Sequence, residues 1–131
     1  MALQYSVAVR NAKLDAVETA IGTSPTLGLF TGTMPANCAT ANSGTLIASL
    51  ALPSDWMAAG ASGSKAKAGT WQDTSADATG TIGYFRIFTA GTCHIQGTCA
   101  NSGADMNFDN TVVNSGQSLT INTFTLNAGN A

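Results

Sequence analysis

Apolar residues recur with a helical period at the start of the chain and with a period near two over most of the rest. Between Ser6 and Ile21, Val7, Leu14, Val17 and Ile21 fall on one stripe while Lys13, Asp15 and Thr19 lie off it. Gly22 and Pro25 end the run, so the spacing predicts a helix over 6–21. Two features sit awkwardly on it: Arg10 lands on the apolar stripe, and Asp15 and Glu18 stand late in the helix, where the macrodipole favours cations.

After Pro25 the period changes. Thr26 to Thr31 reads as a strand, and 32–44, with Pro35, two asparagines and Cys38, reads as a polar loop. Thr45 to Leu52 alternates, with Leu46, Ala48, Leu50 and Leu52 on one face and Ile47, Ser49 and Ala51 on the other, until Pro53 stops it. The small-residue tract 58–64 is either a flexible loop tip or a close backbone approach. Further strands are predicted over 69–72, 80–89, 93–98, 106–108 and 118–126. In the second of these, Phe85 and Ile87 share one face while Tyr84, Arg86 and Phe88 share the other, so both faces are expected to be covered. Cys93 and Ile95 are expected to face one way and His94 the other. In the last strand Leu119 and Ile121 occupy one phase and Phe124 and Leu126 the opposite one; a bulge near Asn122 would turn all four inward, and a straight strand would expose half of them to a partner. One helix followed by short strands and Gly/Asn/Asp turns predicts a mainly β fold, an antiparallel β-sandwich of jelly-roll or Greek-key type with one N-terminal helix.

Composition sharpens the picture. Only 9% of the 131 residues are charged, with a net charge of −2, so Thr, Ser, Asn, Gly and Ala occupy surface positions that Lys and Glu usually fill. Neutral short side chains can be covered by another protein without the desolvation penalty of a charge and with little loss of rotamer entropy. The length fits a single domain over 1–131 with a thin core, since much of the 44% hydrophobic content is Ala. No basic run gathers nucleic acid, and no apolar stretch is long enough for a membrane helix, so neither a direct nucleic-acid partner nor a membrane is expected. No secretory signal opens the chain, which is expected to be made in the cytoplasm, with Cys38, Cys93 and Cys99 as reduced thiols.

Catalytic or metal chemistry has little to work with. His94 is the one histidine, and a catalytic pair would need Cys38 or Cys99 to return to it in space. Adjacent Cys93 and His94 point to opposite faces of a strand, which argues against shared zinc. The carboxylates of Asp55, Asp73, Asp77, Asp105 and Asp109 fit turn and capping roles better than a calcium loop. No enzyme activity and no cofactor are expected. Trp56 and Trp71 serve either the core or an interface; Trp56, with Met57 beside it, is the better interface candidate because it lies between Pro53 and the small-residue tract. Lys65 and Lys67 are solvated or dock an acidic partner surface. Leu3, Tyr5 and Val7 alternate within a possible N-terminal arm, 1–9, that could add to a strand edge of a neighbour or simply lead into the helix.

The segments RNAKLDAVETAIGTSP (10–25), LPSDWM (52–57), KAKAGTWQD (65–73), CHIQGT (93–98) and LTINTFTLNAGNA (119–131) give nearly the whole chain an order that resembles the small virion structural proteins of tailed bacteriophages. That resemblance implies a non-enzymatic structural role. Its first form is a capsid decoration, or cement, protein on the capsid exterior, bound to the major capsid protein and to copies of itself as a homo-oligomer. A tail or fibre-attachment subunit is the alternative. From another class comes a carbohydrate-binding module, which requires Trp56, Trp71 and Tyr84 to be exposed and coplanar on one face.

Overall fold

The structure, a computed structural model, describes residues 3–129. Helix α1 spans Val7–Ile21. Ser6 is its N-cap, its hydroxyl accepting the Val9 N–H at 3.3 Å. Gly22, at φ +93°, ends it and donates its N–H to the Glu18 carbonyl at 2.9 Å. Ten strands follow among the described residues: β1 (Thr26–Thr31), β2 (Leu46–Ala51), β3 (Ser64–Ala66), β4 (Trp71–Asp73), β5 (Gly80–Thr89), β6 (Thr92–Ala100), β7 (Met106–Asn107), β8 (Val112–Val113), β9 (Leu119–Ile121) and β10 (Thr125–Asn127).

The main sheet has the order β2-β1-β5-β6-β7, with β8 paired to the start of β5; β3 with β10 and β4 with β9 form two short ribbons. The molecule is therefore mainly β with one helix, as the pattern predicts. The expectation of a wholly antiparallel sheet is corrected by β7, which runs parallel to β6 with Cys99 opposite Met106. The Asp105 carboxylate makes this tight return, accepting the Thr98 N–H at 3.0 Å and the Thr98 hydroxyl at 3.2 Å so that the short loop stays against β6.

Residues directly opposite across a ladder share a face, and the register sorts the sheet into two faces. On one, Leu27, Leu29, Ala48, Leu50, Phe85 and Ile87 are buried. Packed on them is a row of rings: Trp56 lies 6.1 Å from Trp71, Trp71 5.7 Å from Phe124, and Phe124 meets Phe85 edge-on at 5.4 Å. Each indole N–H has a partner, Gly22 O for Trp56 and Ala68 O for Trp71. On the other face Phe30 stacks on Tyr84 at 5.0 Å and meets Phe88 edge-on, over Gly28. A Cβ on Gly28 would stand 2.9 Å from the Phe30 ring, so glycine makes room for the stack.

Three irregularities redistribute side chains that strict alternation would misplace. In β2 the register steps from Leu29 opposite Ala48 to Phe30 opposite Leu46, leaving Ile47 as an extra residue. Ile47 is consequently fully buried and Leu46 turns outward, against the expected alternation. In β6 the register steps from Ile87 opposite Ile95 to Phe88 opposite Cys93, so His94 is the extra residue and Cys93 joins the Arg86 face rather than the Ile95 face. Between β9 and β10 the chain breaks its ladder over 122–124, and Leu119, Ile121 and Phe124 are all buried with Leu126 half-buried. That break does the work of the bulge expected near Asn122.

Candidate interaction surface

The helix carries the surface of interest because its two ends meet different surroundings. Leu14 and Ile21 are buried and Val17 packs on the core, but the first turn extends past it. Below that turn lies Arg10, not apolar side chains: its Nε donates to Ala128 O at 3.1 Å, and the guanidinium lies over Gly63. Val7 and Val9 are thus left 50% and 44% exposed, and Leu3, just ahead of the cap, 68%. These are three of the five large apolar side chains most exposed among the described residues, the others being Leu46 and Val112. Tyr5 is half-buried, with the Lys13 ammonium 4.3 Å from its ring centroid.

The predicted arm is corrected in form. Residues 3–6 form no strand, and Val7 and Val9 belong to the helix; Met1 and Ala2 lie outside the described residues. Leu3, Val7 and Val9 are exposed apolar side chains around a capped helix end rather than on an extended segment, with Val7 and Val9 on different sides of the helix.

The helix is held in place by the small-residue tract, which resolves into a close backbone approach. Gly60 donates its N–H to Asp15 Oδ1 at 2.8 Å and Gly63 donates its N–H to Asn11 Oδ1 at 2.9 Å. A Cβ on Gly60 would stand 2.9 Å from the Asn11 carbonyl oxygen, so the two backbones touch only because glycine separates them.

Trp56, Met57 and Lys65 are removed from the set of interface candidates. All three are buried within the chain, Trp56 because the row of rings needs it and Met57 beside it. The Lys65 ammonium makes ion pairs with Asp15 at 2.7 Å and Glu18 at 2.8 Å beneath the helix. Hydrogen bonding from Lys65, and then from the Gly60 N–H, holds the Asp15 carboxyl below its ordinary value. Burial works to lower the Lys65 pKa, but the hydrogen bonds and charges of the two carboxylates outweigh it and the net shift is upward. The late acids of the helix, unexplained by local rules, are the two partners of Lys65, far along the chain. Lys67 is half-buried, its ammonium donating to Gly69 O at 2.8 Å and lying 5.7 Å from the Trp71 ring centroid.

Trp56, Trp71 and Tyr84, which a sugar-stacking surface would need on the outside, are each fully buried and supply no platform. The largest cavity described, about 570 Å³, lies under the helix end, with Asp15, Glu18, Asp55 and Lys65 among its lining residues. A more polar one of about 350 Å³ is lined by amides and hydroxyls, including Asn101, Asn110 and Asn122. His94 is exposed and lines neither. No three His, Cys, Asp or Glu side chains gather to hold a metal ion among the described residues, and no helix is long and apolar enough to cross a membrane.

Sequence reasoning passed over two features of this surface. Val9 is absent from the predicted stripe, although its helical spacing from Leu14 already turns it away from the core. The polar cluster on Arg86 is not legible locally because two of its three partners come from a loop more than 40 residues away: Arg86 is buried, donating to Asn42 Oδ1 at 2.9 Å and Asn37 O at 3.1 Å of that loop and to Gln96 Oε1 of β6 at 3.0 Å. Among the described residues no carboxylate pairs with it.

Compared with known proteins, the chain matches no family model, and no curated protein or solved structure is significantly similar to it.

Proposed function

We propose that this chain is a non-enzymatic structural protein of a tailed-bacteriophage virion, a decoration protein that sits on the capsid exterior over contacts between major capsid subunits and beside copies of itself. The observation that carries the reading is the exposure of three large apolar side chains, Leu3, Val7 and Val9, around one helix end that is tied to the body of the fold, on a chain with few charges. A helix end held in this way loses little conformational freedom on binding, and the neutral residues around it can be covered at low desolvation cost. Repetition on a lattice converts modest contacts into stable attachment. We read the packing of the main sheet against the two ribbons and the helix as a β-sandwich, the rigid body such a protein needs.

The test is uptake by shells. Purified chain mixed with capsid shells that lack it, then sedimented, is expected to bind to saturation. Replacing two apolar contacts by carboxylates in the double variant Val7→Asp, Val9→Asp removes on the order of 1.5–3 kcal/mol for each valine that becomes fully buried, so affinity should fall at least about tenfold. Failure of the wild-type chain to bind shells, or equal binding by the double variant, overturns the proposal.

A further inference from the structure

We infer that Cys38 and Cys93 form an intramolecular disulfide, a redox clasp that fastens the 32–44 loop to β6 over Arg86. The two cysteines come from segments 55 positions apart, and the fold places both on one cavity of about 270 Å³ that Arg86, Asn42 and Phe88 also line. The bulge at His94 is what puts Cys93 there, since it carries that residue onto the Arg86 face of the sheet. Cys38 is brought from the other side by the 32–44 loop, in which Pro35 is buried and which polar contacts tie to the sheet. Ser43 N donates to the Tyr84 hydroxyl at 3.0 Å, that hydroxyl donates to Ser43 O at 2.6 Å, and Gln96 donates to Pro35 O at 2.8 Å. The two Arg86 bonds to Asn37 and Asn42 complete the set. Cys99, the third thiol, is buried and lines no part of this cavity.

Burial first, and the neighbouring Cys38 thiol second, push the Cys93 thiol up to about 12 against the pull of Arg86. Oxidation then proceeds by exchange with a small-molecule disulfide such as oxidised glutathione. The Cys38 thiolate attacks one glutathione sulfur, breaking that S–S bond, forming a mixed disulfide and releasing one glutathione. Cys93 gives its proton to solvent and attacks the Cys38 sulfur, breaking the mixed bond and releasing the second glutathione. Two cysteine thiols are oxidised and one glutathione disulfide is reduced to two thiols, which carry the two protons.

The experiment treats the full chain with oxidised glutathione, alkylates it under denaturing conditions and maps the peptides. The expected product is a monomer with two of its three thiols lost, a Cys38–Cys93 crosslink and Cys99 alkylated. Closing a loop of this length should raise the melting temperature by about 10 °C, reversed by reductant. Cys99→Ser should show the same gain and Cys38→Ser none. Three alkylatable thiols, a crosslink through Cys99 or between chains, a glutathione adduct that never resolves, or a gain retained in Cys38→Ser would each overturn the inference. Should Cys38→Ser fail to fold, the crosslink map of the unaltered chain decides alone.

Discussion

Alanine at Gly60, Gly63 and Gly116 separates two costs that the small-residue tract combines. Gly116 has φ +86° and open space where a Cβ would stand, so Gly116→Ala carries only the left-handed backbone penalty. That penalty is about 1–2 kcal/mol, less about 0.4–1 kcal/mol returned by stiffening the unfolded chain, for a net loss near 0.5–1 kcal/mol. Gly60 shows no such φ, but its Cβ would meet the backbone of Asn11 at 2.9 and 3.1 Å, so Gly60→Ala carries the overpacking cost alone, about 1–3 kcal/mol. Gly63 has both: φ +75°, and a Cβ position already filled by the Arg10 guanidinium. Moving Arg10 aside also gives up its bond to Ala128 O, so Gly63→Ala should cost about 2–4 kcal/mol. In thermal melts the order is Gly63→Ala lowest, then Gly60→Ala, then Gly116→Ala within a few degrees of the parent. Native-state hydrogen exchange should accelerate over α1 in the first two variants only. If all three variants melt together, the tract is a flexible tip, and the claim that the helix end is rigidly presented fails.

Stability should depend on pH through the Lys65 cluster. The Asp15 pKa is depressed in the fold, so its contribution is present above its unfolded value, near pH 4, and disappears as pH falls through the folded one. The Lys65 pKa is raised, so its contribution is complete below about pH 10.5 and disappears as pH rises through the folded value. Denaturant midpoints measured across pH should show both arms, and Lys65→Met should flatten both; arms that persist in the variant would refute the assignment. Arg86→Lys cannot span Gln96, Asn42 and Asn37 with one ammonium, so it should cost about 2–3 kcal/mol and raise hydrogen exchange in the 35–43 loop. Unchanged loop protection would show that the loop is held by something else. Trp56→Phe should lose about 1–3 kcal/mol from a partial cavity and the missing bond to Gly22 O, and a variant as stable as the parent would remove that ring from the core.

Local pattern revealed most of the secondary structure, because helix caps and strand alternation are read within a few residues. Ser6, Gly22 and Pro25 bound the helix, and aromatic residues on both phases of 80–89 announced a strand covered on both faces. What local pattern could not reveal depends on partners far along the chain. The bulges at Ile47 and His94 exist only relative to the strands opposite, and they decide that Leu46 faces out and that Cys93 meets Cys38. Asp15 and Glu18 oppose the helix dipole until Lys65 is placed beneath them, and the same placement takes Lys65 out of the interface. Trp56 was drawn to the surface by its flanking residues, but a core short of large aliphatic side chains uses both indoles. Leu3 and Val7 stand out in the sequence as contact candidates, although Val7 also falls on the stripe expected to face the core; their place around a helix end does not show there.

Cryo-imaging of the phage particle proposed to carry this chain, with copy number counted by mass spectrometry, bears most directly on the proposed role. Hundreds of copies are predicted on the outer shell, each placing Leu3, Val7 and Val9 against a major capsid subunit. A handful of copies confined to the tail, or a chain absent from the particle, would contradict it.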